Sequence, residues 1–305
     1  MFLLLVNVRM LISSFDFQHY LSRLLSENEV SIQPLRGGIT NLTVRVTFCP
    51  SIPRRLVQER LGPAISLHSG KKGQPHSWSR DGEDETLLAT VVLKHAMPYL
   101  AGRPSQAMDV GRQRKEADAL RFLQELHSSG KDGKPNSILP GQPAVRSSEL
   151  IFHDTVSNVL WIEDLGDSQL LVDVLLEGSN SAVTSALALD LAAFLANLYR
   201  STKLNALSFI AQEEETGERG DAALNAYFSE SVRSILMAQR IEDVETLMKT
   251  VEESLYSQDK EGPCLGMVDF WPGNILVLQD GGCGVIDWEY FGVSSAASEL
   301  GMFGK

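Results

Sequence analysis

Apolar positions along the chain fall into blocks of different period. From Ser14 to Leu25 they recur every three or four residues, which predicts a short helix with Ser14 as its N-cap. The period then shortens. Ser31 to Leu35 and Leu42 to Phe48 alternate, and Leu87 to Lys94 is a nearly continuous apolar run closed by a lysine, so strands are expected there. Helical spacing returns in Arg112 to Leu126, where Ala117, Leu120 and Leu123 share a face. Leu150 to Asp154 and Val159 to Ile162 read as two strands around a short turn. Ser181 to Tyr199 is apolar on more than one side, the mark of a buried helix, and Ala222 to Leu255 predicts a long helix broken near Arg240. Towards the C-terminus, Ile275 to Leu278 and Cys283 to Ile286 flank the turn Gln279-Asp280-Gly281-Gly282, a hairpin signal.

Two stretches break the pattern. Pro50 to Glu85 is polar, Gly-rich and charged, and is read as a mobile insertion over 50–86. Gln212 to Glu215 is a charge run, read as a solvated turn. The fold class that follows is α+β. A leader and helix occupy 1–29, followed by a sheet-rich part and then a mostly helical part that carries the hairpin.

Composition narrows the functions. With 39 acidic against 27 basic residues and a formal charge of −12, the chain lacks the basic excess of a nucleic-acid binder. Cys49, Cys264 and Cys283 form no close pair, which disfavours a disulfide framework or a zinc site. The apolar run Met1 to Ile12 is interrupted by Asn7 and Arg9 and is too short to span a bilayer, so a soluble, cytoplasmic protein without membrane association is expected.

The candidate chemistry gathers at the hairpin. Asn274 precedes its first strand and Asp287 follows its second, so both come to one end; Asp269, five residues before Asn274, can lie beside them. An Asn and an Asp converging in this way can hold Mg²⁺ through oxygen, and a nearby carboxylate can receive a hydroxyl proton. Upstream, Lys94 is costly to bury unless paired, and Glu116 on the next helix is its candidate partner. Arg36 to Asn41 contains Gly37 and Gly38, which let a backbone turn approach a phosphate, although a plain hairpin turn is the ordinary reading.

Gly266 to Val277 followed by Gly284 to Glu289 resembles the aminoglycoside phosphotransferase, choline kinase and methylthioribose kinase group, whose loop reads H-G-D-x4-N and whose metal-binding Asp sits in I-D-W-E. Met267 and Val268 stand where that family has His and Gly. Gly37, Gly38, Thr40 and Asn41 match its G-G-x-x-N loop, and Met97 to Leu100 looks like the methylthioribose kinases. Glu163-Asp164-Leu165 matches the family segment that links two lobes, which implies a sheet-rich N-lobe over 30–163 and a mostly helical C-lobe over 164–305.

The resemblance implies a protein-kinase-like two-lobe fold with ATP between a small sheet-rich N-lobe and a mostly helical C-lobe. It implies that Gly37, Gly38, Thr40, Asn41, Lys94 and Glu116 serve the phosphates, and that Glu163 and Leu165 serve the base through their main chain. Asn274 and Asp287 would hold Mg²⁺, and Asp269 would be the catalytic base for a small-molecule hydroxyl substrate. The family's helices beyond the segment matched by Glu299 to Phe303 are not present, so the C-lobe is expected to be incomplete. The alternatives are a catalytically inactive nucleotide-binding scaffold and a truncated gene product that folds poorly.

Overall fold

The alternation in the central strands decides which side chains face one side of the sheet and which face the other. In this computed structural model the described residues are 15–23, 25, 29–35, 40–60, 86–100, 103–128, 145–178, 181–216, 230, 233–234, 236–256, 264–294 and 299. The leader 1–14, Gly37 and Gly38, the stretch 61–85, the polar segment 130–142 and 300–305 lie outside them.

Five strands form an antiparallel sheet in the order β1 (Glu29–Pro34), β2 (Asn41–Pro53), β3 (Leu87–Ala96), β8 (Val159–Glu163) and β7 (Leu150–Asp154). Val91 and Leu93 of β3 and Val159 and Trp161 of β8 point to one face. There they pack with Phe17, Tyr20 and Leu21 of helix α1 (Phe17–Ser22). Leu160 and Ile162 point to the other face, towards Leu120 and Leu123 of α3 (Arg112–Ser128). Both faces are covered, which is why the β3 run reads as almost wholly apolar. The same period of two sets Lys94 on the α3 side.

Several boundaries differ from the sequence reading. The N-cap of α1 is Asp16, whose Oδ1 accepts the His19 N–H at 2.8 Å, rather than Ser14. Pro50 does not end β2. The strand shifts register between Thr47 and Ile52, a bulge that accommodates the missing N–H, and continues to Pro53. A helix, α2 (54–60), follows it and buries Val57 against the sheet, so the insertion is ordered at its start. Lys94 lies inside β3, which runs on to Ala96. Gln212 to Glu215 form the end of helix α5 (Ser181–Thr216) and not a turn. The break near Arg240 is present: Arg240 and Asp243 have φ of 55° and 57°, just before α6 (Val244–Tyr256).

A second sheet carries the chemistry. Its order is β6 (Val145–Ser147), β12 (Cys283–Val285), β11 (Ile275–Leu278) and β9 (Ser168–Leu170). β6 leads into β7 and β9 follows β8, so the hairpin β11–β12 is flanked by the two segments that enter and leave the first sheet. α4 (Leu171–Leu176) then packs beside β11. β10 (Cys264–Gly266) pairs with β13 (Gly292–Ser294), holding the loop before the hairpin to the segment after it. β4 (Tyr99–Leu100) and β5 (Arg103–Ala107) make a small separate ribbon. Among the described residues, no helix is long and apolar enough to cross a membrane. All three cysteines are free.

His153 on β7 is buried, and burial together with the nearby Arg121 holds its imidazole down at about 4, from an ordinary 6.5. The unfolded chain binds that proton near pH 6.5 and the folded chain only near pH 4. This group therefore subtracts stability as pH falls between the two, by at most about 1.4 kcal/mol per pH unit. Denaturant unfolding of His153→Gln from pH 7 to 4 should show a shallower loss than the parent chain, and identical slopes would contradict the assignment.

Candidate active site

Lys94 is the centre of the site. Its Nζ donates to both Glu116 carboxylate oxygens at 2.7 Å and to Asp287 Oδ1 at 2.6 Å. Lys94 and Glu116 are buried, and Asp287 is half-buried at the hairpin's end. Gln113, near the start of α3, donates its Nε2 to the Lys94 carbonyl at 2.8 Å and so fixes helix to strand. Burial works against the Lys94 ammonium, but the carboxylates of Asp287, Glu116 and Glu289 outweigh it and raise its pKa above the ordinary lysine value.

The other hairpin residues converge as the sequence predicted. The Asn274 amide donates its Nδ2 hydrogens to the Asp269 carbonyl and to Asp269 Oδ2, each at 3.0 Å. That leaves Oδ1 as the remaining polar atom of the Asn274 amide, and Asn274 lines the cleft described below. The Asn274 carbonyl accepts the Ile286 N–H at 3.0 Å, which sets Asp287 beside it. Asp287 itself has φ of 69°, a left-handed conformation that Asp tolerates better than most residues. Asn274 Oδ1 and the Asp287 carboxylate are hard oxygen donors, a set that suits Mg²⁺. Ligand oxygens of Glu116, Asp287 and Glu289 lie within 4.8 Å of one another.

A cleft of about 830 Å³ opens in front of these groups. Thr40, Asn41, Lys94, Glu116, Glu163, Leu165, Asn274 and Asp287 all line it. Asp269 is partly exposed beside this lining, joined to it through the Asn274 amide. The Glu163 N–H is already donated to the Glu149 carbonyl at 2.8 Å, so as a main-chain contact Glu163 can offer only its carbonyl. Leu165 packs its side chain on the hairpin, since a Cβ at Gly284 would lie 2.5 Å from Leu165 Cδ1. Arg45 of β2 spans the cleft's edge, with Nε 2.8 Å from Asp164 Oδ2 and Nη2 donating to the Gly166 carbonyl at 2.7 Å.

Two features escaped the sequence reading, the Arg112–Glu289 pair and the left-handed Val268, whereas the packing of Met267 did not. Arg112 pairs with Glu289 in the interior. Its position was signalled by spacing, because Arg112 is one helical turn before Glu116 on the buried face of α3. Val268 has φ of 68° although it is β-branched and 41% exposed. Its N–H is held by the buried Glu299 Oε1 at 2.7 Å. Gly266 makes room for that carboxylate, as a Cβ there would meet Oε1 at 2.3 Å. Met267 is fully buried in the core of the second sheet with Phe270, Ile275 and Trp288, so it holds the loop by packing.

A sequence model of the family described as the phosphotransferase enzyme family matches residues 31–304. The chain is similar to the 4-hydroxytryptamine kinase of Psilocybe cyanescens, at 23% identity over 228 residues that make up 70% of this chain and 59% of that protein. It thus spans well under two thirds of that relative's length. It is similar to the solved gentamicin complex of APH(2'')-IIa at 15% identity and a TM-score of 0.48, covering 94% of this chain and 74% of that one. ADP-bound aminoglycoside phosphotransferase APH(2'')-Ib gives 16% identity and a TM-score of 0.46, over 94% and 74% of the two chains.

Restoring His and Gly at positions 267 and 268 should act in opposite directions. A left-handed backbone costs an L-residue roughly 1–2 kcal/mol, and the greater freedom of glycine in the unfolded chain returns roughly half of that. Val268→Gly should therefore hold or raise the melting temperature, whereas Met267→His sets an imidazole among apolar side chains and should lower it. Thermal unfolding of the two single variants checks this. A drop of several degrees for Val268→Gly would show that the loop is not strained there.

Proposed function

Because the chain belongs to the phosphotransferase enzyme family, we propose that it transfers the terminal phosphate of ATP to a hydroxyl of a small polar molecule. The observation that carries this reading is Lys94, shared between Glu116 of α3 and Asp287 at the end of the hairpin that also holds Asn274 and Asp269. In this reading Lys94 faces the nucleotide phosphates, and the main chain of Glu163 and Leu165 faces the base. Asn274 Oδ1 and Asp287 hold Mg²⁺, which neutralises phosphate charge when bound.

Asp269 orients the acceptor hydroxyl and takes its proton as the acceptor oxygen bonds to phosphorus and the β–γ bridge breaks to release ADP. The bond from Asn274 to Asp269 Oδ2 fixes the angle of that carboxylate. Little covalent chemistry is asked of the chain, so positioning and charge supply most of the effect. A hydroxylated amine is the first acceptor class to test, since the chain carries a net charge of −12 and its relative is a 4-hydroxytryptamine kinase.

Asp269→Asn keeps the shape and removes the proton acceptor. ADP release with hydroxylated amines should fall by about 10²- to 10⁴-fold, while ADP affinity by calorimetry stays unchanged. Undiminished turnover would place the base elsewhere. A parent chain that binds nucleotide and never releases ADP above background would favour the non-catalytic scaffold.

A further inference from the structure

The I-D-W-E run ends in a glutamate that the proposed mechanism does not use. Glu289 is buried, and its Oε2 accepts from Asn41 Nδ2 at 2.9 Å and lies 3.3 Å from Arg112 Nε. The Arg112 guanidinium is also buried. Its Nη2 donates to the Thr40 carbonyl at 2.6 Å, to the Met97 carbonyl at 2.9 Å and to Asn41 Oδ1 at 3.3 Å; its Nη1 donates to the Asp109 carbonyl at 2.6 Å. Asn41 is thus used at both ends of its amide, the oxygen by Arg112 and the nitrogen by Glu289. A residue engaged in this way is not a free nucleotide ligand.

We propose that Asn41, Arg112 and Glu289 form a buried positioning relay that locks the start of β2 and the first turn of α3 to the segment carrying Asp287. The assignment rests on the phosphotransferase reading of the cleft. Arg112 and Glu116 stand one turn apart on α3. One takes Glu289, two residues past Asp287; the other takes Lys94, which itself holds Asp287. Helix α3 is therefore tied to Asp287 from two sides, and any shift of β2 relative to the hairpin must break the buried hydrogen bond from Asn41 to the Glu289 carboxylate, beside the Arg112–Glu289 ion pair. The competing role for Glu289 is that of a third metal ligand, because its carboxylate lies within 4.8 Å of Glu116 and Asp287. Occupation of Oε2 by Asn41 and Arg112 argues for the relay.

The test is ADP affinity across a Mg²⁺ titration for the parent chain, Asn41→Ala, Glu289→Gln and the double variant, with turnover and melting temperature alongside. A lost hydrogen bond to a charged group should weaken ADP about tenfold in each single variant. The double variant should be no weaker than the worse single one, because both remove the same link. The Mg²⁺ concentration for half-maximal binding should stay fixed. A rise in that concentration with Glu289→Gln would make Glu289 a metal ligand and overturn the proposal. So would multiplicative losses in the double variant, or unchanged affinity in Asn41→Ala. Should Glu289→Gln not fold, Asn41→Asp, which sets a like charge against Glu289, takes its place, and parent-like ADP affinity there would equally overturn the relay. If the coupling holds while the parent chain shows no turnover, the phosphotransfer reading fails and the relay stands.

Discussion

One ammonium group, that of Lys94, is held at hydrogen-bond distance by carboxylates from a helix 22 residues downstream and from a hairpin 193 residues downstream. Burial alone would neutralise a lysine. Here Glu116 and Asp287 keep it charged, and the arrangement holds only while strand, helix and hairpin keep their relative places. Removing one partner of such a buried group leaves the others uncompensated, at about 3–5 kcal/mol. The rest of the structure can be read as the scaffolding that this interaction requires.

That scaffolding has two parts. The first sheet is covered on one face by α1, where Tyr20 accepts from Trp161 and donates to Asp154, each at 3.0 Å, and on the other by α3. Strand β3 is central in that sheet and packed on both faces, which fixes where Lys94 stands. The second sheet inserts the hairpin between β6 and β9, so the ends of the first sheet's strands β7 and β8 are stitched directly to the strands that carry Asn274 and Asp287. Below the loop, Met267 and Phe270 sink into the core and Glu299 catches the Val268 N–H. A fixed backbone beneath Asp269 is the result, at the cost of a left-handed valine. Strain of this kind persists where surrounding contacts determine the conformation.

Much of this was legible in the sequence because it rests on short-range signals. The hairpin followed from the Asp-Gly-Gly turn between apolar runs, and the Lys94–Glu116 pair from a lysine in an apolar strand facing an amphipathic helix. What was not legible depends on contacts between distant segments. The three-residue strands β6 and β9 have no pattern of their own and exist only through pairing with β12 and β11. Pro50 reads as a strand end, yet the bulge carries β2 past it. Asn41 is assigned to the phosphates only through the family's G-G-x-x-N loop, and the fold shows its amide engaged by Arg112 and Glu289. The positive φ of Val268 could not be read from a valine; only the family glycine at that position hinted at it.

In the proposed reading, Asp287 is the point at which the strand lysine, the hairpin and a divalent cation meet. Calorimetry of ADP binding to Asp287→Asn, with and without Mg²⁺, tests it most directly. Mg²⁺ should no longer strengthen binding there while the metal-free affinity persists, because Lys94 and Glu116 remain paired. If Mg²⁺ strengthens ADP binding in Asp287→Asn as much as in the parent chain, the cation is held elsewhere and the site as described is wrong.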